Sequence, residues 1–405
     1  MNVRRCAAAL AAVGVLAAAA PATAAGPSPS PKVTVPSGLY GTSDPTYDGV
    51  WRQSLTLIAQ RTVGYRPAVQ AVDWLAGQQC ANGAFAAFRA DPAKTCDSKV
   101  MVDSNSTGAA VQALQATGGH GAAVGKAVTW LKSVQNKDGG WGYAPGGASD
   151  TNSTSVVIGA LAAAGSDPAD VHKAGKSPYD LLAAMSIPCG ETGGGGLAYQ
   201  PDKKGKLYAN ADATAAGVLG ALGKGFDAVT GKAPGGNACA TGKHLTPAQV
   251  ADNAGAHLAS VVAKTGHLTS TLPGTMDQPD YGNTADTVVA LAADGRSAQA
   301  LQSYTWLEKN AGKWAAQSGP AAYAQLILAA HALGAQPGDF GGTSLIRSLN
   351  ELGPAPHLES AAHDTKKSEK SDGGSKFGVW WFVGVCLVAG IGVGFLLSGR
   401  KKRQP

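Results

Sequence analysis

Two stretches of the chain superimpose on each other, and that self-similarity limits the fold more than any other feature. Trp74-Leu75-x3-Gln79-x3-Gly83-x-Phe85 lies over Trp130-Leu131-x3-Gln135-x3-Gly139-x-Trp141. Further on, Asp103-x-Asn105 and the run to Gly118 lie over Asp150-x-Asn152 and the run to Gly165. Within Lys126–Gly165 a helix ends near Gln135, a turn follows at Asn136–Gly140, and Trp141-Gly142-Tyr143 forms a hinge. A second helix opens at Asp150 and closes at Gly165.

Three more units follow the two clear ones. The third spans Pro178–Gly223, with a degenerate front half and the run ADATAAGVLGALG behind Asn210. The fourth, Ala254–Gly295, places Asn283 ahead of TADTVVALAADG. Spacing from the Asn to the closing Gly sets a register of 13, 13, 13 and 12 residues for Asn105, Asn152, Asn210 and Asn283. A fifth, Ala300–Gly334, keeps Trp306-Leu307, Trp314 and a helical run but has no matching Asn. Val50–Thr62 has apolar residues at helical spacing and is predicted to be the first helix. Paired helices at a period near 40 residues predict an all-α, stacked or closed array.

The signature Trp-Leu-x3-Gln-x3-Gly-x-Trp is similar to the QW repeat of triterpene cyclases, and the paired-helix units resemble the α/α toroid superfamily. That superfamily includes terpenoid cyclases, protein prenyltransferase β-subunits, complement-type thioester domains and the helical domain of cobalamin carriers such as intrinsic factor and transcobalamin. The resemblance covers about Val50–Leu352 and implies an α/α toroid (barrel). Within it the second helices of each pair would form an inner ring with all their N-termini at one mouth.

The ends of the chain carry addressing signals. Residues 1–25 have a basic start at Arg4-Arg5, a short apolar run and small residues at Ala22-Thr23-Ala24, as a signal peptide has. Residues 377–397 are an uncharged 21-residue stretch followed by Arg400-Lys401-Lys402-Arg403. This is the pattern of one transmembrane helix with a basic cytoplasmic tail at 398–405. Between them we expect a Pro/Ser-rich spacer (26–48), the toroid ectodomain (49–353) and a disordered stalk (354–376). The expected location is the cell membrane, single-pass, with the ectodomain outside.

Net charge supports that division. The formal +6 is accounted for by Arg4, Arg5 and the four basic residues of the tail, which leaves the remainder neutral. A neutral body does not suggest nucleic acid as a partner. Cys80, Cys96, Cys189 and Cys239 then stay in the exported part, an even count that favours two disulfides. Nearest-neighbour pairing, Cys80 with Cys96 and Cys189 with Cys239, is the expectation.

The candidate ligand-binding residues cluster at the starts of the second helices: Asp103, Asn105, Tyr143, Asp150, Asn152, Asn210, Asp212, Asn283 and Asp286. As helix caps they would satisfy orphan N–H groups. As members of a toroid they would also encircle its mouth. Gln135 is expected to bond carbonyls at the end of its helix while Trp141 stacks over the turn.

Enzymatic readings are set against motifs. A class II cyclase supplies its acid from Asp-x-Asp-Asp, which is absent, as is Asp-Asp-x-x-Asp, and aromatic residues make up only 6% of the chain. His244, His257 and His267 lack metal-ligand spacing, so no metal and no cofactor is expected. Cys189-Gly190-Glu191 resembles the start of a complement-type thioester motif, but Thr192 stands where the acyl-bearing Gln belongs. The balance leans away from an enzyme. The leading expectation is a membrane-anchored, prenyltransferase/squalene-cyclase-like repeat protein that captures a small molecule, a corrinoid being the best single guess, with a second binding protein or a membrane transporter as partner. The alternatives are a terpene cyclase/prenyltransferase-like enzyme and a cell-wall or adhesion module.

Overall fold

The computed structural model describes residues 34–234, 238–242, 244–270 and 277–359. The expected signal peptide, membrane span and basic tail lie outside them, as does the stalk from residue 360 on. Among the described residues no helix is long and apolar enough to cross a membrane.

Thirteen helices make up this described body. In chain order the first six are α1 (Gly49–Thr62), α2 (Val69–Gly77), α3 (Ser104–Thr117), α4 (Gly121–Ser133), α5 (Thr151–Ala163) and α6 (Pro178–Met185). Then come α7 (Ala211–Ala221), α8 (Pro247–Val262), α9 (Tyr281–Ala293), α10 (Ser297–Asn310), α11 (Gly312–Ser318), α12 (Pro320–Leu333) and α13 (Leu345–Asn350).

Six of them close a ring. Helix α1 packs on α3, α3 on α5, α5 on α7, α7 on α9, α9 on α12, and α12 returns to α1. An outer helix carries the chain back between each consecutive pair, so the six inner helices run the same way. The inner helices are buried almost all round: α5 buries nine of its thirteen residues and α12 ten of fourteen. That explains their composition, because a helix packed on both flanks needs small apolar residues such as the Ala-rich runs of α3, α9 and α12. Outer helices bury one stripe, as α4 does with Val124, Ala127, Trp130 and Leu131.

One device repeats at the head of four inner helices. A threonine four residues after the cap accepts the backbone N–H of the incoming hinge: Phe85 to Thr107 at 2.9 Å, and Trp141 to Thr154, Leu197 to Thr214 and Leu268 to Thr284 at 3.0 Å each. Thr107, Thr214 and Thr284 also donate to the carbonyl of their own cap residue. All four threonines are fully buried. Each therefore fixes an outer-helix loop onto an inner helix with groups that would otherwise be orphaned.

This device corrects the register read from the Asn residues. Eleven residues separate Thr107 from Gly118, Thr154 from Gly165 and Thr284 from Gly295, but only nine separate Thr214 from Gly223. Helix α7 is two residues short, so counting back from its Gly matched Asn210 to Asn105 and Asn152. Asn210 is instead the cap of α7, in the place of Asp103 and Asp150, and Asp212 takes the place of Asn105 and Asn152.

The QW-type motif also works differently from expectation. Gln135 donates to the Gly139 carbonyl at 2.8 Å and the Val171 carbonyl at 3.2 Å, tying the turn to the following segment. Trp141, only 1% exposed, reaches the helix end: its indole Nε1 donates to the Leu131 carbonyl at 2.7 Å. Gln79 repeats the Gln135 role with Gly83 and Ala123.

The folded body exceeds the boundaries expected from sequence at both ends. Leu39 and Tyr40, assigned to the spacer, are buried, and Tyr40 accepts a bond from Gln60 and donates its hydroxyl to the Pro354 carbonyl. His357–Leu358, assigned to the stalk, pairs antiparallel with Tyr65–Arg66. Both disulfides form as expected, Cys80–Cys96 and Cys189–Cys239.

Candidate functional site

The ring encloses a cavity of about 230 Å³. Its polar wall is built from the first two turns of the inner helices. Two residues beyond the cap, α3, α5 and α7 present Asn105, Asn152 and Asp212; six beyond the cap, α9 and α12 present Asp286 and Gln325. The rest of the lining is apolar, with Trp51 and Leu55 from α1, Val156 from α5, Ala215, Ala216 and Leu219 from α7, Val289 from α9 and Leu328 from α12.

The segment after α7 closes the far end. The Phe226 backbone N–H donates to Gln112 Oε1 of α3 at 3.0 Å. Gln112 in turn donates to the Val156 carbonyl of α5 at 3.3 Å. A Cβ at Gly225 would collide with the Gln112 amide oxygen, so a larger residue there would have to displace that side chain. Further along, Thr230 donates to the Ala332 carbonyl of α12 and Gly231 to that of Ala292 in α9. The Phe226 ring meets the Trp51 indole edge-on at 5.4 Å, which forms an aromatic floor.

The polar groups of the cavity are unequally satisfied. Asn152 Nδ2 donates to Asp212 Oδ2 at 2.6 Å, and Gln325 Nε2 donates to both carboxyl oxygens of Asp286 at 3.1 Å. Asn105 Oδ1 and Asn152 Oδ1 are buried without a hydrogen-bond partner. No basic side chain is among the lining residues. Burial, and then the Asp212 carboxylate, push Asp286 up to about 7. Asp212 is raised as well, by burial first and by Asp280 second, against the opposing bond from Asn152. Asp286 therefore stays partly protonated near neutral pH.

Of the nine residues singled out from sequence, the structure brings four into the cavity: Asn105, Asn152, Asp212 and Asp286. Asp103, Asp150 and Asn210 are helix caps, accepting the backbone N–H groups of Ser106, Ser153 and Ala213 at 2.6–2.7 Å. Burial pushes Asp103 up to about 6 despite its bonds from Ser106. Asn283 is tied back to Asp280, which caps α9. Tyr143 is 48% exposed beside Asp103, outside the cavity lining. Sequence reasoning missed Gln325, Trp51 and Phe226. Gln325 is legible once α12 is aligned by its cap at Gly319, because it falls six residues on, where α9 has Asp286.

Among the described residues, no group of three His, Cys, Asp or Glu side chains is placed to hold a metal ion. Cys189, the residue with a thioester-like context, is consumed by its disulfide with Cys239.

No family model matches the chain. Drimenyl diphosphate synthase of Streptantibioticus cattleyicolor is 39% identical over 80 residues, which are 20% of this chain and 13% of that protein. Among solved structures, ent-copalyl diphosphate synthase from Streptomyces platensis aligns with a TM-score of 0.47 and 16% identity, covering 71% of this chain and 50% of that one. The matches therefore span half or less of the length of the proteins to which this chain is similar.

Proposed function

We propose that this protein is a terpenoid cyclase-like toroid whose central cavity receives a compact isoprenoid and protonates it through Asp286. The observation that carries the reading is a carboxyl group held up to about 7 inside an apolar, aromatic-floored cavity. A general acid is most useful when its pKa lies near the working pH. In the proposed step the Asp286 O–H gives its proton to one carbon of an alkene, whose π electrons form the new C–H bond. Asp286 is left as a carboxylate, and the positive charge on the second carbon faces Asp212 and the Trp51 ring. Loss of a proton from the rearranged skeleton back to Asp286 completes the cycle. The 39% identity to part of drimenyl diphosphate synthase supports this class. Incubating the full chain with farnesol and farnesyl diphosphate, followed by mass-spectrometric product analysis, tests it. A cyclised product that disappears in Asp286→Asn is expected, and absence of turnover with both overturns the catalytic reading.

A second reading is non-catalytic capture at the cell surface, with the chain exported and tethered by residues 377–397. It is favoured by the two disulfides, which suit an oxidising compartment. A corrinoid is much larger than a 230 Å³ cavity and would have to lie across the mouth, beside Tyr143 and Tyr199. A partner protein or transporter would then complete the site.

A further inference from the structure

Two amide oxygens of the cavity wall are buried without a donor. Asn152 is oriented by its donation to Asp212, which turns its Oδ1 away from that bond and leaves it without a partner. Asn105 Oδ1 is in the same condition on the neighbouring helix. Both belong to the same cavity wall as Asp212 and Asp286, where two of the side-chain donors, Asn152 Nδ2 and Gln325 Nε2, are already used on those carboxyls. A buried acceptor without a donor costs about 1–3 kcal/mol, so a ligand that supplies N–H donors gains what the protein forgoes.

Charge points the same way. Six helix N-termini face this end of the ring and would by themselves attract an anion. Asp103, Asp150 and Asp280 cap three of them, however, and Asp212 sits in the first turn of a fourth. With no basic residue in the lining, the balance is negative. A diphosphate would face two carboxyls and bring acceptors only. A cation with N–H groups is complementary on both counts, and the Trp51 and Phe226 rings offer its hydrocarbon part an apolar floor.

We propose that the cavity is a site for a small hydrophobic ammonium, a protonated amine whose N–H donates to the Asp212 carboxylate or to a free amide oxygen of Asn105 or Asn152. The inference rests on the reading of this cavity as a ligand site and is independent of any turnover there. It names a ligand chemistry that a diphosphate-binding cyclase would not require.

The test is calorimetric titration of the full chain with three probes of one shape: N,N-dimethylcyclohexylamine, isopropylcyclohexane, in which a CH replaces the nitrogen, and cyclohexanecarboxylate. We expect the amine to bind at least about tenfold more tightly than the hydrocarbon, and the carboxylate not at all. Asp212→Asn should lose that preference while still binding isopropylcyclohexane, which shows that the cavity has survived the substitution. Equal binding of amine and hydrocarbon, or tighter binding of the carboxylate, overturns the inference. So does failure of the amine to bind in a protein that cyclises a neutral isoprenoid, an outcome that leaves the cavity reading intact. If no probe binds and no isoprenoid is turned over, both readings fall.

Discussion

Asn152 Nδ2 and Asp212 Oδ2 lie 2.6 Å apart although 60 residues separate them in sequence. They occupy the same place on consecutive inner helices, two residues beyond the cap, so the bond links α5 to α7 at the polar wall of the cavity. Asn152→Ala leaves the Asp212 carboxylate in that wall without its donor. Loss of a bond to a charged group is expected to cost about 1–3 kcal/mol. Urea unfolding should show this cost at pH 8 and a smaller one at pH 5, where Asp212 is more easily protonated.

The pH dependence of stability follows from the buried carboxyls. Asp286 is raised from 3.8 to about 7, and Asp103 and Asp294 to about 6, each chiefly by burial. Between pH 4 and 7 the folded chain therefore holds protons that the unfolded chain has released, and stability falls as pH rises through that window. Thermal melts from pH 5 to 8 should show a declining Tm. Asp286→Asn should flatten the upper part of the decline and raise Tm at pH 8, since it removes a buried charge that forms only there.

The repeated threonine is a structural part. Thr214→Val keeps the shape but leaves the Leu197 N–H unbonded in a fully buried place. A cost of about 1–3 kcal/mol in urea unfolding is expected. Binding of any cavity ligand should be unchanged, because Thr214 lies outside the lining.

Cys189 and Cys239 close a loop with a sequence separation of 50. Chain-entropy reasoning assigns such a crosslink about 4 kcal/mol. The Cys189→Ala, Cys239→Ala double variant should lose about that much in denaturant unfolding. The bridge of separation 16 between Cys80 and Cys96 should be worth less, about 3 kcal/mol.

Much of this architecture was legible in the repeats. Helix pairs and the caps Asp103 and Asp150 follow from local patterns, since helix ends depend on residues close in sequence, whereas four cysteines allow three pairings and the sequence does not choose among them. The cavity was legible only in part. Asn105, Asn152, Asp212 and Asp286 were visible because each recurs near a helix start, but their separation from the caps Asp103, Asp150 and Asn210 needed the true register. That register is carried by Thr107, Thr154, Thr214 and Thr284, while the two-residue shortening of α7 obscures a count made from its far end. Gln325 was hidden because Gly319, the cap of α12, has no side chain to mark the helix start. Phe226 could not be assigned from sequence at all: it reaches the cavity through a loop whose place is set by Gln112, 114 residues earlier.

The central claim is that Asp286 titrates near neutral pH, far above an ordinary carboxyl. Carboxyl carbon NMR of the full chain with 13C-labelled aspartate, with the Asp286 signal assigned by its absence in Asp286→Asn, measures this directly. The account predicts a titration midpoint near 7. A midpoint in the ordinary range near 4 would show the carboxyl ionised and solvated, and would contradict both its role as an acid and the enclosed site on which that role depends.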